Sequence, residues 1–181
     1  MPPSRGYTLP ELFIVMALLT LLTAIGFPFF KRILERQRLE NAMYMLSSQF
    51  ADARLAAITQ QMPVSVCPSH GDKQCRQDSN WSRGWITYRD WSRGSQPASS
   101  EAILYQEQVT NTDSLSIIST SGRSRVRFLP DGRSAGSNIS IRFCNHDRLF
   151  GLIVVNNLGR IRSERTLHPQ TCSNNLENEQ K

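Results

Sequence analysis

The hydrophobic pattern of the chain changes character twice. Residues 12–30, LFIVMALLTLLTAIGFPFF, are nearly uniformly apolar, and Glu11 is the only charge between Arg5 and Lys31. That run of 19 residues is close to the roughly 20 that carry a helix across a bilayer. Beyond Lys31 the apolar positions turn periodic. Leu39, Met43, Leu46, Phe50, Ala53 and Ala57 recur at spacings of four and three, which marks one face of a helix. The small alanines favour close packing against a sheet over a coiled coil. Pro63 ends the pattern, and Pro28 is expected to kink or loosen the helix by removing a backbone hydrogen bond.

After Met62 the pattern shortens to strand length. The runs 64–67, 84–91, 102–109, 115–119, 123–129, 138–144, 151–156 and 159–165 are rich in β-branched and aromatic residues. Ser-Gly at 121–122, Asp-Gly at 131–132 and Asn-Asn-Leu-Gly at 156–159 separate some of them, so the region reads as antiparallel sheet. The loop at 68–83 and the stretch SRGSQPASS at 92–100 read as surface connections, and the end after Cys172 as a frayed tail.

The charge around the apolar run is unusual. Only Arg5 precedes it, whereas Lys31, Arg32, Arg36 and Arg38 follow it. Charge bias alone would then orient the helix ambiguously or backwards, which points to a specialised export route. No A-x-A-like cleavage site follows the apolar stretch; the expected cut lies before it, between Gly6 and Tyr7.

Those residues, RG/YTLPEL, resemble the leader of type IV pilins and of the pseudopilins of type II secretion. Tyr7 departs mildly from the usual phenylalanine. The resemblance implies cleavage after Gly6 by a prepilin peptidase and methylation of the amino group of Tyr7. It also implies a filament-assembly role for Glu11, whose partner would be the terminal amine of a neighbouring subunit. A carboxylate at the edge of an apolar helix is costly unless it is paired. Farther on, VRFLPDGRSAGSNISIRFCN…GLIVVNNLGRIR resembles the GspH/FimT branch of minor pilins, with its Phe-x-x-x-Gly turn, strand ending in Cys and final hairpin closing on Gly-Arg-x-Arg. The implied fold is α+β and pilin-like, a long N-terminal helix packed on a C-terminal antiparallel β-sheet domain. Residues 1–6 would be leader, 7–30 membrane or filament-core helix, 31–62 amphipathic helix and 63–181 the β-rich domain. The precursor would sit in the inner membrane with its domain in the periplasm, then enter a pilus at the cell surface among other major and minor pilins.

Four cysteines lie in the part that would be exported, where disulfides are the default. Of three possible pairings, Cys67–Cys75 and Cys144–Cys172 are favoured, the first closing a short loop and the second tying the tail to the core. A zinc site on Cys67, His70 and Cys75 lacks a convincing fourth ligand and the paired C-x2-C spacing. No metal or cofactor is expected.

The net charge of +6 matters less than its location. Residues 7–120 carry ten Lys and Arg against ten Asp and Glu, whereas 121–165 carry nine arginines against three acids. Arginine's planar fork suits phosphate, and a clustered basic face is the footprint of a nucleic-acid binder. Arg160 and Arg162 should share a strand face about 6.6 Å apart, with Ile161 inward and Gly159 supplying the positive φ of a tight turn. Arg123, Arg125 and Arg127 alternate in the same way, against inward Val126 and Phe128. The plainer reading of both sets is the wet face of an antiparallel sheet. The resemblance weights them differently, since Gly-Arg-x-Arg is associated with DNA binding in FimT-type pilins. It implies a duplex-DNA site on Gly159, Arg160 and Arg162, extended by Arg165, and less firmly by Arg148, Arg123, Arg125 and Arg127. Trp81, Trp85 and Trp91 could stack on single-stranded bases, though a Trp-rich strand is more often core. No nucleotide loop, nucleophile elbow, zincin motif or supported carboxylate pair occurs, and His70, His146 and His168 stand in unrelated polar contexts, so an enzyme is not expected. The alternative is a structural minor pilin or pseudopilin that primes or caps a filament without touching DNA.

Overall fold

The structure, a computed structural model, describes residues 8–109, 114–166 and 170–172. A single helix, α1, runs from Leu9 to Thr59, and its 51 residues pass through position 28 without a break. The Thr8 amide and hydroxyl both donate to Glu11 Oε2, each at 3.0 Å. A glutamate three residues into a helix that reaches back to the capping amide is half of a capping box, so Glu11 closes the N-terminus of its own helix. The helix is long and apolar enough to cross a membrane, with a mean hydropathy of 2.4 over its most apolar 18-residue window.

The chain divides into two compact units between Arg38 and Leu39. Among the described residues every buried apolar residue lies at Leu39 or beyond, so a fragment of residues 31–181 keeps that core and the whole second unit, and is expected to fold without the apolar half of α1. The helical stripe read from the sequence is the face that packs: Leu39, Met43, Leu46, Phe50, Ala53 and Ala57 are all buried.

Two four-stranded sheets take up the rest. The strands are β1 (Val64–Pro68), β2 (Gly84–Arg89), β3 (Ile103–Gln108), β4 (Leu115–Ser119), β5 (Val126–Phe128), β6 (Ile139–Asn145), β7 (Arg148–Val155) and β8 (Ile161–Arg165). One sheet has the order β3-β2-β1-β5 and the other β4-β6-β7-β8, and every pairing is antiparallel. All eight expected strands are present. The 123–129 run shortens to three paired residues, because Arg123 to Arg125 leave the ladder to line a cavity.

The helical stripe packs onto both sheets. Val64, Val66, Trp85, Val126 and Phe128 come from the first, Ile117, Ile139, Ile141, Ile153 and Val155 from the second, and Trp81 joins them from a loop. Phe50 meets Trp81 edge-on, with ring centroids 6.0 Å apart. The other face of the first sheet carries a small second core of Cys67, Cys75, Ile86 and Tyr88. Cys67 is bonded to Cys75 and Cys144 to Cys172.

Beside the second core lies a buried ion pair. Asp90 is 1% exposed, and its Oδ2 accepts from Ser65 Oγ and from Arg127 Nε, each at 2.6 Å. A carboxylate removed from water this completely needs such donors. Arg127 is therefore part of what holds the first sheet together.

Candidate nucleic-acid interface

The β7–β8 hairpin turns through Asn156, Asn157, Leu158 and Gly159. Asn156 N donates to Arg160 O at 3.1 Å and Gly159 N to Asn156 O at 2.9 Å. The Asn156 side chain folds back to accept from Arg160 N at 2.9 Å. Gly159 has φ +72°, the left-handed region that side-chain-bearing residues avoid. It is also buried, and a Cβ there would overlap the carbonyl oxygen of Gly132.

That close approach belongs to a three-way clasp. The half-buried Arg54 of α1 donates through Nε to Gly132 O at 2.8 Å and through Nη2 to Leu158 O at 3.5 Å. Ser134 N donates to Asn157 O at 3.0 Å, and Asn157 N to Asn138 Oδ1 at 3.2 Å. The helix, the 132–138 loop and the hairpin turn are thus tied together, by the side chains of Arg54 and Asn138 on backbone groups and by one backbone–backbone bond. A turn held on three sides presents its flanking side chains at fixed positions.

Arg160 and Arg162 flank this clasp. Both are exposed, and neither guanidinium has a hydrogen-bond or ion-pair partner among the described residues. Arg162 lies opposite Val154 on the outer face of the second sheet, while Ile161 lies opposite buried Val155 on the helix-facing side. Arg133 joins them, exposed in the loop docked against the turn, since its neighbours Gly132 and Ser134 make the contacts to Gly159 and Asn157. Glu164 follows Arg162 on the same outer face and offsets part of the charge.

The remaining candidates lie elsewhere. Arg165 has the opposite strand parity to Arg162, so the structure places it on the helix-facing side, where Nη1 stands 3.6 Å from Glu40 Oε1. Arg165 therefore does not continue the Arg160–Arg162 face, because an odd offset along a strand reverses the face, although its side chain stays 62% exposed. Arg148 opens β7 seven residues before Val155, about 23 Å from the turn at 3.3 Å per residue, and does not belong with the pair. Arg127 is committed to Asp90 and to Gly94 O, at 2.6 and 3.0 Å. Arg125 donates to Gly94 O at 2.5 Å, and Arg123 to Ser137 Oγ at 3.1 Å and Ala135 O at 3.4 Å. Arg142, on β6, is almost wholly buried, which lowers its pKa. Trp81 and Trp85 are fully buried and Trp91 is 53% exposed, so two of the three cannot stack on a base.

Gly6, Tyr7 and His168 lie outside the described residues, whereas His70 and His146 are exposed. With Cys67 and Cys75 joined as a disulfide, the zinc alternative loses its thiolates. No group of three His, Cys, Asp or Glu able to hold a metal occurs among the described residues. Arg54 has no role in the sequence reading, and Arg133 enters it only as one of the nine arginines of 121–165. Arg54 sits 78 positions from the carbonyl it holds, and no local pattern announces that contact. The Asp-Gly turn at 131–132 did announce Arg133 as a loop residue, but not which loop it would meet.

Comparison with known proteins places this geometry in a family. The family model described as "Type II transport protein GspH" matches residues 45–159, a span that takes in the Arg54 clasp and stops at Gly159, before the arginine pair. The minor pilin FimU of Pseudomonas aeruginosa, a type IV pilin, superposes with a TM-score of 0.60 at 19% identity, over 77% of this chain and 98% of that one. A second crystal form of FimU gives a TM-score of 0.56 at 18% identity, over 74% and 99%. The minor pseudopilin EpsH of the Vibrio cholerae type 2 secretion system gives 0.50 at 10% identity, over 71% and 97%. No protein with a curated description matches by sequence. The helix on antiparallel sheets is the type IV pilin fold, and the chain belongs to the GspH family.

Proposed function

We propose that this protein is a minor pilin whose final hairpin binds duplex DNA without sequence preference and so supports DNA uptake in natural transformation. The observation that carries this reading is the pair Arg160 and Arg162, exposed, without partners among the described residues and flanking a turn that Arg54 ties to Gly132. Arg133 adds a third exposed guanidinium at the same end. Guanidinium groups fixed in this way meet phosphates and do not read bases, so binding would be sequence-independent and strongly salt-sensitive.

In this reading a prepilin peptidase cuts after Gly6 and Tyr7 becomes the methylated N-terminus. The apolar half of α1 holds the precursor in the inner membrane with the domain in the periplasm. The same half later packs among other pilins in a pilus at the cell surface, with Glu11 available to a neighbour's amine once it leaves its own cap.

Fluorescence anisotropy of residues 31–181 with a labelled duplex tests the reading. Arg160→Ala and Arg162→Ala should each weaken binding and lower the salt slope by about one. If both variants bind as the wild type does at low salt, the hairpin is not the site. A second reading, a subunit that primes or caps a pilus or a type II secretion filament without touching DNA, is favoured by the likeness to FimU and EpsH. A gel shift separates the two, since that reading expects none.

A further inference from the structure

A cavity of about 230 Å³ lies apart from the hairpin turn, lined by Gly122, Arg123, Ser124, Arg125, Arg127 and Ala135. Three guanidinium groups surround one space. Asp90 neutralises that of Arg127. The partners of the other two among the described residues are neutral: Ser137 Oγ and Ala135 O for Arg123, and Gly94 O and the Tyr88 hydroxyl for Arg125. Both side chains are half-buried, so two positive charges face the cavity with no carboxylate of the described residues bonded to either. Burial lowers the pKa of Arg123, the expected response of a cation that has lost water without gaining an anion. The groups are also held in place. Gly136 has φ +98° and leaves the space beside its backbone to the Arg123 guanidinium.

The cavity adjoins the hairpin through one loop. Residues 134–138 receive Arg123 at Ala135 and Ser137, and meet Asn157 through Ser134 and Asn138.

We propose that this cavity is an oxyanion subsite that holds one phosphate group of the DNA strand lying along the hairpin, with Arg123 and Arg125 as its donors. The proposal rests on the hairpin reading and extends it: the strand crosses the 134–138 loop and is gripped on both sides. Forked guanidinium donors match the oxygens of a phosphate better than a single point charge does, and two uncompensated cations favour a phosphate over a neutral ligand.

The test has two arms on residues 31–181. In the first, inorganic phosphate is titrated into the wild type and followed by NMR of backbone amides and arginine Nε–Hε groups. Saturable shifts are expected at residues 122–125 and 135. They should persist in the Arg160→Ala/Arg162→Ala double variant and vanish in Arg123→Gln and in Ser124→Glu, which keeps all three arginines but puts a carboxylate into the cavity. In the second arm, Arg123→Gln and Ser124→Glu should each weaken duplex binding severalfold in an otherwise wild-type chain. If the hairpin variants lose DNA affinity while these two keep it, the subsite proposal falls and the hairpin reading stands. If phosphate saturates the cavity but no variant, nor the wild type, binds duplex, both fall and the cavity's ligand is free phosphate. If phosphate gives no saturable shift, the cavity is not an oxyanion site.

Discussion

Position 159 has room for a backbone and nothing more, because the first side-chain carbon of any other residue would fall on the carbonyl oxygen of Gly132. The same oxygen accepts from Arg54 Nε at 2.8 Å. Gly159→Ala therefore meets two penalties, a left-handed φ and the loss of this contact. The expected cost is about 2–3 kcal/mol, read from the urea midpoint of residues 31–181. A change within about 0.5 kcal/mol, the usual range for a surface substitution, would mean the turn relaxes freely and the clasp is incidental.

Arg54 offers a way to loosen the hairpin without removing charge. Arg54→Lys keeps the cation but gives up the fork that reaches both Gly132 O and Leu158 O. DNA affinity should fall about fivefold, the equivalent of one net hydrogen bond of about 1 kcal/mol, with the salt slope unchanged because the phosphate contacts are the same in number. A lower slope in the anisotropy titration would instead make Arg54 a direct phosphate contact.

Glu164 shares the outer face with Arg162 and should repel a phosphate that approaches it. Glu164→Gln is expected to tighten duplex binding about twofold at low salt, with the gain fading as salt rises. Weaker binding in this variant would show that the strand does not pass over the outer face of β8.

The Asp90–Arg127 pair is predicted to serve stability. Arg127→Ala leaves a buried carboxylate with Ser65 Oγ as its remaining side-chain donor. The Arg127 side chain is 20% exposed, so the cost should be about 2 kcal/mol, below the range for stripping one partner from a fully buried pair. A double-mutant cycle with Asp90→Ala, followed by urea unfolding, gives the coupling. Zero coupling would mean that the two groups merely lie side by side.

The helix could be read in advance because its signal is local. Leu39 through Ala57 repeat at helical spacing, and each of those six side chains is buried. The eight strands were legible for a similar reason, since short β-branched runs between turn residues describe themselves. The functional surface is a different kind of object. Nine arginines in 121–165 look alike in one dimension, and contacts far along the chain sort them. Arg127 is taken up by Asp90, 37 residues away; Arg165 turns to Glu40 on the helix; Arg160 and Arg162 are left in solvent. Parity could have separated Arg165 from Arg162 without any structure, because three positions along a strand reverse the face. Arg54 was beyond reach, since its partner, Gly132 O, belongs to a turn whose position depends on the whole sheet.

The placement of the core has a consequence for the life of the chain. Among the described residues no buried apolar residue lies before Leu39, so the core of the head draws no described side chain from the stem. In the proposed passage from membrane to pilus, a stem that leaves lipid for a bundle of like helices would exchange one oily solvent for another. On that proposal the head need not unfold or repack, and a folded domain would be carried from one setting to the other as cargo on its own handle.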